Sequence, residues 1–122
     1  MPINVKGIAW LGVKTEKFEE MCYFYESILA LEPKHDEKGF KAYDLSNGDR
    51  IEIFDSSVPY YDHFITGPVA GFLVDDIERA KIDMEREGIE FIGEIGGDPK
   101  KTQWAHFRGP DGNIYELKSR SG

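Results

Sequence analysis

Two glutamates occupy matching places in this 122-residue chain. Glu52 follows the turn signal Asn47-Gly48 in the run Arg50-Ile51-Glu52-Ile53-Phe54, and Glu116 follows Asp111-Gly112 in Ile114-Tyr115-Glu116-Leu117. Two carboxylates facing one cavity can do three kinds of chemistry. They can hold Mg²⁺ or Mn²⁺ weakly, the ion keeping several of its waters. They can share a proton, because like charges side by side raise one carboxyl's pKa and ready it for acid–base work. They can also receive the amine or guanidinium of a ligand. Zn²⁺ and Ni²⁺ suit such a pair poorly, since both favour imidazole or thiolate donors. Against all three stands a plainer reading: ancestral residues, neutralised by Lys41 and by water.

The elements that must position the pair read as a repeat. Ile8-Ala9-Trp10-Leu11-Gly12-Val13 and Val69-Ala70-Gly71-Phe72-Leu73-Val74 are apolar runs about 60 residues apart, and each ends at a helix-start signal. In the first half, residues 5–13 are of strand length. Thr15 is placed as an N-cap, with Glu16 in the first turn. Phe18, Met21, Cys22, Tyr25, Ile28 and Leu29 then fall on one helical face, and Pro33 closes the helix. Residues 40–45 and 50–54 bracket Ser46-Asn47-Gly48-Asp49 as a hairpin, and residues 55–67 read as a connection. In the second half, residues 68–74 form a strand and Asp75 or Asp76 caps a helix. Ile77, Ala80 and Met84 line its buried face, and Gly88 ends it. Residues 89–95 are extended, Gly96-Gly97-Asp98-Pro99 breaks the strand, and residues 103–108 and 113–117 close as a second hairpin. Each half therefore reads β-α-β-β-β within one α+β domain over 1–122. The first module spans about 4–56, a linker 57–66, and the second module about 67–119.

A two-residue turn centred on Asp111-Gly112 predicts Phe107 opposite Glu116, and the same count predicts Tyr43 opposite Glu52. By strand alternation, Glu116 then shares its face with Ala105 and Phe107, and Glu52 with Lys41, Tyr43 and Phe54. Trp10, Ile8, Gly12, Val69, Gly71 and Leu73 turn to that side. Trp10, Lys41, Tyr43, Phe54 and Phe107 are thus the candidate ligand contacts, a mixture of apolar walls with few polar groups. The same alternation points His106 away from Glu116, and it leaves His35 and His63 in solvated connections. Cys22 reads as an inert buried thiol. No nucleophile–base pair and no phosphate-cradling glycine loop is legible.

The net charge is −8, and the Lys and Arg residues never form a run, so nucleic acid is not an expected partner. No apolar run approaches the ~20 residues of a membrane helix. One cysteine precludes an intrachain disulfide and fits a reducing compartment. The residues after Met1 lack the pattern of a secretory signal, so the expected location is cytoplasmic.

Three segments together resemble the vicinal oxygen chelate superfamily, the group of glyoxalases, bleomycin-resistance proteins and extradiol dioxygenases. They are Phe24-Tyr25-Glu26-Ser27-Ile28-Leu29-Ala30-Leu31, Val74-Asp75-Asp76-Ile77, and Phe107-Arg108-Gly109-Pro110-Asp111-Gly112-Asn113-Ile114-Tyr115-Glu116-Leu117. Ala30 stands where the family pattern has Gly, and Gly109 where it has Asp. The resemblance implies two modules pairing into an incomplete, barrel-like groove of eight strands, and a homodimer. It also implies a divalent metal held by four residues, two from each half. Carried over by position, the late ligands fall on Glu52 and Glu116. The early ligands fall on Ile8 and Val69, which have no lone pair to offer. The resemblance thus implies a degenerate metal site and no dedicated cofactor beyond weak Mg²⁺ or Mn²⁺. The function it implies is binding of a small organic ligand, of cationic character in the bleomycin-resistance analogy, in an acidic aromatic groove. The alternative is a lyase, isomerase or dioxygenase using Glu52 and Glu116 with a weak metal or as bare acid–base groups. A partner-binding subunit with a vestigial groove is the third reading.

Overall fold

The computed structural model describes residues 3–120. The chain divides into two compact units. One is Leu11–Pro68, and the other joins the described residues up to Trp10 with those from Val69 onward. Strand β1 (Gly7–Thr15) passes from one unit into the other.

In the Leu11–Pro68 unit, Thr15 is the last residue of β1 rather than a helix cap. Its hydroxyl accepts the Lys17 N–H at 2.9 Å, a local turn that delays helix α1 to Phe18–Tyr23. The helix then widens into a π turn over Phe24–Ile28. This ends the predicted face early, because an extra residue per turn rotates the side chains beyond it. Cys22 and Tyr25 are buried, but Ile28 and Leu29 lie exposed. Ala30 ends the element at φ +58°, while the Leu31 N–H closes onto the Tyr25 carbonyl at 2.9 Å. A left-handed residue with a Cβ costs about 1–2 kcal/mol. Ala30→Gly is therefore expected to stabilise the protein by about 1 kcal/mol, part of the relief being offset by glycine's unfolded-state freedom. Thermal unfolding should show a rise of about 4 °C; a fall would show that Ala30 is unstrained.

Strand β2 (Pro33–Glu37) is exposed along its whole length, so no apolar alternation marks it in the sequence. It lies at the outside of the order β2-β3-β4, and its charges suit an unpaired edge. His35 thus belongs to a strand. Strands β3 (Phe40–Asp44) and β4 (Arg50–Asp55) are antiparallel. The Leu45 N–H donates to the Asp49 carbonyl at 2.8 Å, leaving the three-residue loop Ser46-Asn47-Gly48 with Gly48 at φ +91°. This loop is one residue longer than predicted, so Glu52 pairs with Ala42, and Tyr43 with Ile51. Buried Cys22, Tyr25, Tyr43 and Ile53 form the core between α1 and the sheet. The expected connection 55–67 is packed. Phe54, Tyr60, Tyr61 and Phe64 make mutual ring contacts, and His63 lies against Tyr61 and Phe64 rather than free in solvent. Lys14 Nζ donates to the carbonyls of Val58 and Tyr60 at 3.1 and 2.6 Å.

The other unit carries β5 (Val69–Leu73), α2 (Ile77–Arg86), β6 (Glu90–Gly97), β7 (Thr102–Arg108) and β8 (Ile114–Arg120). Their order is β5-β8-β7-β6, with β5 parallel to β8 and the other pairs antiparallel. Asp76 caps α2, its carboxylate accepting the Arg79 N–H at 3.0 Å. Gly96-Gly97 does not break β6; the strand runs through both, with an irregularity between Ile92 and Gly96. The Gly109 N–H donates to the Asn113 carbonyl at 2.8 Å and leaves Pro110-Asp111-Gly112 as a second three-residue loop. His106 therefore faces Glu116, and Phe107 faces Tyr115. Phe107, Ala105, Leu117, Val74, Ile77 and Ala80 make the core beneath α2. Among the described residues, no helix is long and apolar enough to cross a membrane.

Candidate functional site

In the unit containing β7 and β8, Glu116 is buried and one oxygen lies 3.0 Å from His106 Nε2. Both side chains are about 5% exposed (5% and 4%). Burial pushes the His106 imidazole down to about 4, since the charged ring would be stripped of water. At neutral pH the imidazole is uncharged, and Nε2–H donates to the carboxylate in the tautomer that suits this contact. The Trp10 ring lies 6.5 Å from the His106 ring. Gly71 pairs with Glu116 in register, and a Cβ there would meet Trp10 Cβ at 2.9 Å and a Glu116 oxygen at 3.2 Å. Lys118, two residues beyond Glu116 and so on the same face, is buried as well. Of the expected early metal-ligand positions, Ile8 is 63% exposed and Val69 is fully buried.

In the Leu11–Pro68 unit, Glu52 shares its face with Asp44, Arg50, Ala42, Phe40 and Phe54. The Arg50 guanidinium joins the two acids: Nε donates to Asp44 at 2.8 Å and Nη1 to Glu52 at 3.3 Å. The hydrogen bond to Asp44 holds that carboxyl below its usual range. Phe54, 2% exposed, packs against Phe40, Tyr60 and Tyr61.

Three expected contacts lie elsewhere. Lys41 and Tyr43 point to the α1 side of the sheet, where both bind the Glu26 carboxylate, at 2.9 and 2.8 Å. Lys41 therefore neutralises Glu26, not Glu52. Its hydrogen bond holds the Glu26 carboxyl low, while burial pushes the Tyr43 phenol up. Phe107 is likewise a core residue, close to Phe72, Phe91 and Tyr115. The reason is common to all three: a one-residue change in hairpin register moves every side chain to the opposite face. Phe54 shares the face of Glu52 within its own unit, and Trp10 lies near the His106–Glu116 pair within the other. His106, Arg50 and Lys118 are the polar residues that sequence reasoning missed. For Arg50 and Lys118 the available signal was alternation along the glutamate's own strand; for His106 it was the Gly ending the loop, which suits a three-residue hairpin as well as a two-residue one. Burial pushes the Cys22 thiol up, consistent with an unreactive cysteine.

Among the described residues, no group of three or more His, Cys, Asp and Glu converges to hold a metal ion. Glu52 and Glu116 each already have a nitrogen partner within their own unit.

Several solved structures share the fold. A Mn(II)-bound glyoxalase from Novosphingobium aromaticivorans superposes with a TM-score of 0.75 at 16% identity, covering 97% of this chain and 40% of that one. Methylmalonyl-CoA epimerase from Mycobacterium tuberculosis gives 0.68 at 17% identity, covering 97% and 90%. A glyoxalase/bleomycin resistance protein/dioxygenase superfamily member from Vibrio splendidus gives 0.66 at 15%, covering 97% and 99%. At such identities the likeness is one of fold. No curated protein sequence matches the chain. The family profile, in contrast, matches residues 7–117, and the chain belongs to the glyoxalase/bleomycin resistance protein/dioxygenase superfamily.

Proposed function

We propose that this protein binds a small organic molecule at an acidic, aromatic site without a catalytic metal. One observation carries the reading. Among the described residues, the buried polar side chains His106, Glu116 and Lys118 belong to adjacent strands β7 and β8 and turn to one face, with Trp10 against the His106 ring. Convergent buried polar groups beside an aromatic wall are the usual makings of a ligand site. Trp10 and Glu116 are the proposed contacts. The net charge of −8 favours a cationic ligand over an anionic one. Homodimer assembly in a reducing cytoplasm completes the proposal.

The test is a thermal titration with Mg²⁺, Mn²⁺, Ni²⁺ and Zn²⁺ of the wild type and Glu52→Gln/Glu116→Gln. The expected result is no metal-specific rise in melting temperature. A rise in the wild type that vanishes in the double variant would overturn the metal-free reading. A screen of organic cations then reads binding directly, and affinity retained in the double variant would remove the carboxylates from the site. The His106–Glu116 contact favours a second reading, proton transfer by an isomerase. Exchange of substrate hydrogen for deuterium from D₂O, with methylmalonyl-CoA as the first probe, would select it.

A further inference from the structure

The two glutamates that the family fold would offer to a metal are each engaged from within their own hairpin. Arg50 precedes Glu52 by two residues on β4 and reaches it at 3.3 Å; His106 meets Glu116 across β7 and β8 at 3.0 Å. The Arg50 contact has a further property. Its guanidinium lies between two carboxylates, Asp44 at 2.8 Å and Glu52 at 3.3 Å, at the loop end of the β3–β4 hairpin. Asp44 stands opposite Arg50 and Ala42 opposite Glu52, so both acids and the base share one face. All three are partly shielded, with side-chain exposures of 42%, 26% and 18% for Asp44, Arg50 and Glu52. One positive charge between two negative ones is the arrangement of a cation site already filled.

We propose that Arg50 is a specificity-determining residue: its guanidinium is a built-in occupant that closes Glu52 and Asp44 to metal ions and to cationic ligands. The inference rests on the metal-free reading above and assigns its cause in this unit. The face is thus not short of donors for a weakly held ion. It is short of a vacancy. Removing the guanidinium leaves two carboxylates around the space it filled, and an external cation of either kind gains a place there. A guanidinium recovers the planar donor geometry, and Mn²⁺ accepts carboxylate oxygens while keeping several waters.

Thermal melting of the wild type, Arg50→Ala and Arg50→Ala/Glu52→Gln, each with Mn²⁺ or methylguanidinium, tests the assignment. Wild type should respond to neither cation. Arg50→Ala should melt lower than wild type and regain about 4 °C with either cation at roughly tenfold its Kd. The double variant should lose that response. Arg50→Gln, which keeps more of the stem's packing, should show the same gain if Arg50→Ala fails to fold. A folded Arg50 variant that responds to neither cation, while wild type also stays silent, overturns the inference and leaves the metal-free reading standing. A wild type that is itself stabilised by Mn²⁺ through Glu52 overturns both.

Discussion

His106→Ala is expected to destabilise the protein by about 3 kcal/mol, the cost of removing the imidazole nitrogen from a buried carboxyl and leaving a gap beside Trp10. Glu116 is only 3% exposed, so solvent cannot readily replace the lost nitrogen. His106→Gln keeps a donor near the same place and should cost about 1 kcal/mol. Replacing both partners, as His106→Leu/Glu116→Leu, should cost less than His106→Ala alone, because the two groups that bond each other are then removed together. Denaturant unfolding of the set checks the ranking. A cost below about 1 kcal/mol for His106→Ala would mean that water reaches Glu116 freely, and the face would then be an open surface. The pH dependence has its origin in the same burial. The imidazole's pKa is about 4 in the folded chain against 6.5 ordinarily, so the unfolded state binds more protons between these values. The stability His106 contributes is present above pH 6.5 and is lost as pH falls towards 4. His106→Gln should flatten this part of the stability profile.

Tyr43→Ala should be more damaging still, by about 4 kcal/mol, since Tyr43 is fully buried and packs with Cys22, Tyr25 and Ile53. Tyr43→Phe isolates the hydroxyl. It removes the 2.8 Å hydrogen bond to Glu26 but keeps the ring, for an expected cost of about 1.5 kcal/mol. The Lys41 ion pair with Glu26 remains in that variant, which keeps the loss modest. The pair of variants also separates the two faces of the β3–β4 sheet. Because Tyr43 lies on the α1 side, Tyr43→Phe should leave the cation responses of the Arg50 variants unchanged. A change in those responses would place Tyr43 on the Glu52 side after all.

Much of the architecture is legible in the chain. The Val13 and Val74 junctions announce two copies of one module. Asp76 and Gly88 mark both ends of α2, and Ile77, Ala80 and Met84 mark its buried face. These are local signals, read within a few residues by capping, helical periodicity and glycine's tolerance of positive φ. Two elements of the first half resist such reading. Strand β2 buries no side chain and so has no alternation to detect. The π turn at Phe24–Ile28 changes the helical period partway along, and the exposure of Ile28 and Leu29 results from that change.

The site divides along the same line. By itself, the sequence showed that Glu52 and Glu116 follow matching turn signals in the two halves, while the assignment of Ile8 and Val69 to the early ligand positions is what the family resemblance implies. It determined, too, that Trp10 turns away from Ala9 and Leu11, since alternation along a single strand needs no partner. Which cross-strand residues meet the glutamates was decided only by tertiary structure. Asn47-Gly48 and Asp111-Gly112 are compatible with loops of two or three residues, and that one-residue choice sets the parity of every cross-strand pair. In the folded chain, packing settles it: Tyr43 and Phe107 enter the cores beneath the helices, where their burial stabilises most. His106 is carried to Glu116 as a consequence, and Lys41 is carried away to Glu26, whereas Arg50 sits beside Glu52 by alternation along β4 itself.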